Sequence, residues 1–207
     1  MSLILAACAL AALAASAGGG YWVAGRRRSN EEGAPPKKDA PGASPAAKKR
    51  RVANELAGLP LALGDVVVAD REERWLAGGL VAKEGDRVVA AVYFAPEGAR
   101  LKTVVAFAAP RRDVLWLDVA RVDSPSEPPA ALEIEGVPMT RRGRLPVALS
   151  RHGQGVPNVG ASGILAEYEG GADEIAVLLT SEGRTYAWRG RRLGEGQYDR
   201  LGSGGDG

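Results

Sequence analysis

Cysteine and histidine each occur once, as Cys8 and His152, and methionine and phenylalanine only twice each. One cysteine permits no intrachain disulfide, and one cysteine with one histidine cannot build a Cys/His zinc cluster. Aromatic residues make up 5% of the 207-residue chain. A core must therefore be assembled from Val, Leu and Ala around a few large anchors: Trp75, Tyr93, Phe94, Phe107, Trp116, Tyr186 and Trp188. No amphipathic helical run of any length follows residue 59, so a helical bundle is excluded.

Charge is present but unevenly placed. Residues 26–51 carry nine Lys/Arg against three Asp/Glu, whereas the remainder from 52 onward carries eighteen against twenty-two. A basic linker thus precedes a mildly acidic domain.

From Ser2 to Gly25 no side chain is charged. As a helix this stretch would span roughly 36 Å, against about 30 Å of bilayer hydrocarbon. Tyr21 and Trp22 fall where an interfacial aromatic belt belongs, and Arg26-Arg27-Arg28 follow at once. The positive-inside rule then predicts a single-pass membrane anchor over 1–25, N-terminus out and the following domain cytoplasmic. The alternative is export by a cleaved signal peptide, since Ala15-Ser16-Ala17 has the A-x-A form and Leu5-Ala6-Ala7-Cys8 imitates a lipoprotein box. The missing basic n-region and the Arg triplet favour the anchor.

Residues 26–58 read as a basic flexible linker with a short helix. Ser29 to Ala47 is rich in Pro, Ala, Gly and Ser without apolar periodicity, a composition that cannot bury enough surface to fold. Lys48-Lys49-Arg50-Arg51 suits contact with anionic membrane lipid better than nuclear import or any specific nucleic acid. Val52, Leu56 and Leu59 have helical spacing, and Gly58 with Pro60 stops that helix.

Residues 59–203 predict an all-β domain in two similar barrel-like or sandwich-like halves, 59–123 and 130–203, divided by the Pro-rich Ser124–Pro129. The repeated stretches are Gly79–Gly98, GLVAKEGDRVVAAVYFAPEG, and Gly163–Gly183, GILAEYEGGADEIAVLLTSEG. Both run from Gly and aliphatics through an acidic-Gly turn to an apolar run and a closing Glu-Gly. Strands are expected at 66–68, 75–82, 87–94, 101–108, 114–119, 132–135 and 145–149, with Glu72-Glu73-Arg74 and Arg141-Arg142-Gly143-Arg144 as turns. Residues 87–94 are apolar on both faces, as in a doubly covered or barrel-wrapped strand. Leu115, Leu117 and Val119 share one face of theirs.

The succession LGDVVV, a Gly-turned strand pair, Leu115-Trp116-Leu117, a proline-rich break, SGILAEYEGG and a strand with Trp188-Arg189-Gly190 resembles the bacterial domain-of-unknown-function family 4178, over roughly residues 59–201. The resemblance implies an all-β domain in membrane-associated bacterial proteins of envelope or stress context, with no assigned active site. A glutamate kept near the family's Trp would fall on Glu182, six residues before Trp188. That spacing departs from the pattern, and no functional residue carries over.

Catalytic, cofactor-binding and metal-binding residues are not expected. Ser150 lies two residues from His152, but no acid is placed in sequence to orient the ring, and the glycines around it suggest a loop. The carboxylates cluster at turns (Glu72-Glu73, Glu84 with Asp86, Glu167 with Glu169, Asp173-Glu174), and Gly153–Gly163 lacks the Lys and helix of a phosphate loop. Arg111-Arg112, Arg141–Arg144 and Arg189–Arg192 read as a solvated rim, and Trp116 and Trp188 as core anchors. The expectation is a non-enzymatic, membrane-tethered domain that binds a protein partner, with lipids contacted by the anchor and linker. A small-ligand-binding β-barrel, exported or soluble, is the alternative.

Overall fold

Turn chemistry divides residues 54–123 and 127–202, the part of the chain that the computed structural model describes, into twelve strands. These are β1 (Val66–Ala69), β2 (Glu72–Trp75), β3 (Gly78–Glu84), β4 (Arg87–Glu97), β5 (Arg100–Phe107) and β6 (Val114–Ala120). Then follow β7 (Ala131–Ile134), β8 (Val137–Gly153), β9 (Ser162–Glu169), β10 (Glu174–Ser181), β11 (Arg184–Leu193) and β12 (Asp199–Leu201). The expected anchor, Cys8 and the linker up to residue 53 lie outside the described residues. Among the described residues no helix is long and apolar enough to cross a membrane; a single helical turn at 54–56 is what the 51–59 periodicity yields.

Most hairpins close through two-residue turns whose twist matches that of the strands. Glu135–Gly136 and Glu182–Gly183 have both φ values positive, as a type I′ turn requires. Gly85 and Gly98 instead open the β3–β4 and β4–β5 turns at φ 59° and 57°. The Glu-Gly pair that ends each repeated stretch is therefore used one residue out of step. Glu97 is still paired, with Arg100, whereas Glu182 is in the turn itself.

Eight strands close one barrel in the order β3-β4-β5-β6-β11-β10-β9-β8, sealed by the β3–β8 pairing. This confirms the all-β expectation but corrects the two separate halves: each contributes four strands to a common barrel. Gly79–Gly98 and Gly163–Gly183 do form corresponding hairpins, β3–β4 and β9–β10. Yet β3 and β9 point the same way while β4 and β10 follow them round the ring in opposite senses. A repeated half-barrel would keep one sense, so the likeness is that of two hairpins. Facing shows the same thing: Val81 lies in the outer layer, whereas Leu165, aligned with it, faces the barrel interior.

Three apolar layers follow from this arrangement. Leu80, Val92, Phe94, Leu117, Leu179 and Trp188 meet inside the barrel, with Phe94 tilted against Trp188 at 6.0 Å between ring centroids. Outside β3–β6, Val81, Tyr93, Val104 and Trp116 are covered by Leu56, Leu61, Val67 and Leu76 from the N-terminal segment and the small sheet β12-β1-β2. Outside β9–β11, Tyr168 and Leu178 pack with Ile134 and Met139. Both faces of β4 are thus buried, which explains why its sequence does not alternate.

Four local expectations are corrected. Glu72-Glu73-Arg74 is strand, because the turn is made by Asp70–Arg71, and Arg74 is buried where its guanidinium donates to the carbonyls of Thr103 (2.8 Å) and Leu117 (2.7 Å) over the Trp116 ring. Arg141–Arg144 is strand too: β8 runs through it, absorbing Arg142 as a bulge. Val119 is 57% exposed, because the inward alternation of β6 stops at Leu117. Trp75 is 51% exposed on the small sheet and anchors no core, whereas Trp116 and Trp188 are buried as expected.

Candidate functional site at the open barrel end

β8 outruns β3. The last β3 pairing is Lys83 with Ala148 and the nearest β7 pairing is Ala131 with Thr140, so residues 141–147 of β8 have a strand neighbour only in β9. Pro146 fits this one-sided stretch because it has no N–H to place, and with the Arg142 bulge it discourages a further strand from adding. The wall is open here, beside the end where the β3–β4 and β5–β6 turns lie.

A cavity of about 310 Å³ occupies this opening. Gly143, Arg144 and Leu145 form one side and Val88, Val89 and Phe107 face them, while Leu165 and Val177 continue into the barrel interior. Its charged lining is Arg87, Arg111, Arg144 and Glu167. Its volume falls within the ~300–1,000 Å³ typical of small-ligand sites, which combine apolar walls with a few fixed polar groups.

The polar groups differ in how firmly they are held. Arg111 binds both oxygens of Glu167, Nη1 to Oε2 at 2.7 Å and Nη2 to Oε1 at 2.9 Å. It also reaches Asp113 at 2.7 Å and lies 4.1 Å over the Phe107 ring. Arg192 completes the network from β11 through Asp113 and, at 3.4 Å, Glu167. The Glu167 hydrogen bonds hold the Arg111 guanidinium above its ordinary pKa, outweighing burial. Burial pushes the Asp113 carboxyl up, but hydrogen bonds and charge from Arg111 and Arg192 together hold it below its usual value. By contrast, Arg87 is paired with Glu84 (3.1 Å) and Arg144 with Glu127 (2.6 Å), both partners well exposed. Exposed pairs of this kind contribute about 0–1 kcal/mol and exchange readily.

The Ser150–His152 pair is on strand β8, not in the expected loop, and an acid does approach it. Glu55 Oε2 lies 2.8 Å from His152 Nε2 and 3.3 Å from Ser150 Oγ, and Glu55 Oε1 is 3.3 Å from Lys83. Ser150 Oγ is also 3.3 Å from the same Nε2. A Ser-His-acid relay needs the acid and the serine on opposite ring nitrogens; here one nitrogen serves both. The cluster reads as a clasp that fastens the helical turn at 54–56 to β3 and β8. Burial raises the Glu55 carboxyl, but Lys83 and His152 overcome that and hold it below its usual value.

The three Arg clusters meet through shared carboxylates and so are not a free basic strip: Arg111 and Arg192 both reach Glu167, Arg192 (3.9 Å) and Arg142 (2.6 Å) both reach Glu169 on β9, and Arg189 pairs with Glu174 (3.5 Å) on β10. Among the described residues no group of three or more His, Cys, Asp or Glu is placed to hold a metal ion. Sequence reading missed Glu167 as a buried residue and Glu55 as the histidine's partner. The first looked like one more turn carboxylate; the second is 95 residues from Ser150, beyond any local pattern.

No family model, no curated protein and no solved structure matches the chain.

Proposed function

We propose that this chain is a non-enzymatic binding module that takes a small apolar molecule into the open end of its barrel. The reading rests on the cavity between β8 and the β4–β5 pair, apolar within and charged at the rim. An eight-stranded barrel is the size at which side chains fill the interior or leave room for one small ligand. The His152 geometry supports the non-enzymatic part, since Glu55 and Ser150 meet the same ring nitrogen and not opposite ones, unlike a Ser-His-acid relay. Thermal denaturation of the full-length chain with 1-octanol should raise the midpoint, and Leu145→Trp, which fills the cavity from its wall, should abolish that rise. No rise for the native chain or an undiminished one in the variant would overturn the reading.

The proposed setting is the cytoplasmic membrane face, with residues 1–25 as anchor and the basic linker against anionic lipid. Reporter fusions at residue 40 and at the C-terminus test it, and an external signal from either is the contrary result.

Recruitment of a protein partner is the second reading. It draws on one row across the small sheet, where Leu201 and Trp75 flank Val66 in register and are 59% and 51% exposed. Exposed apolar side chains grouped in this way mark interaction sites more often than scattered ones. A photo-crosslinker at position 75 in native membranes should then trap one protein, and finding only lipid adducts would count against it.

A further inference from the structure

The charges at the inner end of the cavity are matched, and that match restricts the ligand. Glu167 stands opposite Val177 and two residues beyond Leu165, both in the interior layer, so it lies on the inward face of β9. Arg111 meets it over the ring of Phe107, another interior residue. Arg192, opposite inward Leu115, joins the pair through Glu167 and Asp113. Two guanidiniums thus balance two carboxylates, and Glu169, which Arg192 also approaches, has Arg142 as its own partner at 2.6 Å. The other cations of the lining are engaged elsewhere. Arg144 stands opposite Ala166 of the outer layer and holds Glu127, and Arg87 holds Glu84. A ligand therefore meets apolar walls and a polar end without net charge.

One acceptor at that end has room. Among the described residues, Glu167 Oε1 takes N–H groups from both Arg111 and Arg192, whereas Oε2 takes one, from Arg111 Nη1 at 2.7 Å. A carboxylate oxygen accepts two hydrogen bonds, so a further donor can reach Oε2 and displace nothing.

We infer that the ligand is a neutral single-chain alcohol, its hydroxyl donating to Glu167 Oε2 and its tail against Val89, Leu145, Leu165 and Val177. The inference rests on the ligand-binding reading above and deepens it. An anion reaches the Arg111 fork only by displacing Glu167, which strands a buried charge. An ammonium that approaches Glu167 meets Arg111 and Arg192 beside it. A hydroxyl has no charge to desolvate and breaks neither pair. A cavity of about 310 Å³ lies at the small end of ligand sites, which fits one short chain rather than two.

Calorimetric titration of the full-length chain at neutral pH with 1-octanol, its isomer 1-methoxyheptane, octanoate and octylamine separates the possibilities. The ether has the atoms of the alcohol but no donor. Octanol should bind about tenfold more tightly than the ether, as expected for a hydrogen bond to a charged group. Octanoate and octylamine should each bind at least about tenfold more weakly than octanol. Glu167→Gln leaves Arg111 and Arg192 with Asp113 alone, so octanoate should then bind more tightly than octanol. Equal affinities for octanol and the ether would overturn the hydroxyl assignment and leave the apolar site intact. Octanoate or octylamine binding as tightly as octanol to the native chain would overturn the neutral class. These comparisons need no variant. An octanoate affinity unchanged by Glu167→Gln would overturn the role of Glu167 in excluding acids. Failure of all four probes would remove the ligand-binding reading itself.

Discussion

Arg111 and Glu167 face each other as a fork on a fork, two nitrogens on two oxygens at 2.7 and 2.9 Å. They join the β5–β6 turn to β9 across the barrel end, and 56 residues of chain separate them. The two sides of the pair are not equivalent. Glu167 is 8% exposed, so its charge depends on the cations beside it, whereas the Arg111 side chain is 41% exposed and keeps Asp113 as a second partner. Removing the arginine should therefore cost more than neutralising the glutamate. Arg111→Gln is expected to lower the unfolding free energy by about 2 kcal/mol and Glu167→Gln by about 1 kcal/mol, since the first leaves a buried charge with only Arg192 nearby. Urea titrations of both variants check the order, which is the informative quantity.

Two separate clusters, the Asp113 network and the Glu55 clasp, make stability depend on acid. Asp113 and Glu55 both have folded-state pKa values below their ordinary ones. A depressed carboxyl contributes stability that is fully present above its unfolded pKa and is lost as pH falls through the folded value. With unfolded Asp and Glu near 3.9 and 4.3, the loss should begin below about pH 5 and continue past pH 4. Urea midpoints measured from pH 7 to pH 3 should fall over that window, and Asp113→Asn should flatten the fall. An unchanged slope in the variant would show that Asp113 does not contribute.

Asp70 and Arg71 make the β1–β2 turn with φ values of 52° and 66°, a left-handed pair without glycine. The analogous turns at 135–136 and 182–183 place glycine second. A non-glycine residue in this region costs about 1 kcal/mol, and glycine relieves the cost at some loss of unfolded-state restraint. Arg71→Gly should therefore stabilise the protein by about 0.5 kcal/mol, and Arg71→Val should destabilise it, because a β-branched residue tolerates positive φ poorly. Paired denaturation curves decide the sign.

Much of the fold is written in the turns and in apolar runs. Glu-Gly and Gly-Asp pairs between alternating segments mark most hairpins, and the two-sided burial of residues 87–94 is legible because both faces are apolar. What could not be read is closure. The β3–β8 seam pairs Gly79 with His152 across 73 positions of sequence, and nothing local to either residue encodes the other. Glu72-Glu73-Arg74 reads as a turn because charge usually signals solvent, yet Arg74 is buried through carbonyl and carboxylate partners that are distant in sequence. The candidate site was hidden for the same reason. Val88, Phe107, Arg144 and Leu165 come from four strands and share no motif; only the barrel brings them to one opening.

A tight steric demand falls on a glycine whose sequence context is unremarkable. Gly190 pairs with Leu117 where β11 crosses β6, and a Cβ there would lie 2.1 Å from the Trp116 carbonyl oxygen and 3.0 Å from Leu117 Cα. Both obstacles are backbone, so no side chain can turn aside to make room. The strands would have to separate at the seam that joins the two halves of the barrel, between Trp116 in the outer layer and Trp188 within. Overpacking of this kind typically costs 1–3 kcal/mol, and about 3 kcal/mol is expected for Gly190→Ala, since the clash is with main chain on a central pairing. Gly171→Ala is the matched control, for a Cβ at that turn meets nothing within 4 Å; its effect should stay within about 0.5 kcal/mol. If the two variants melt at the same temperature, β6 and β11 are not as closely apposed as this pairing requires.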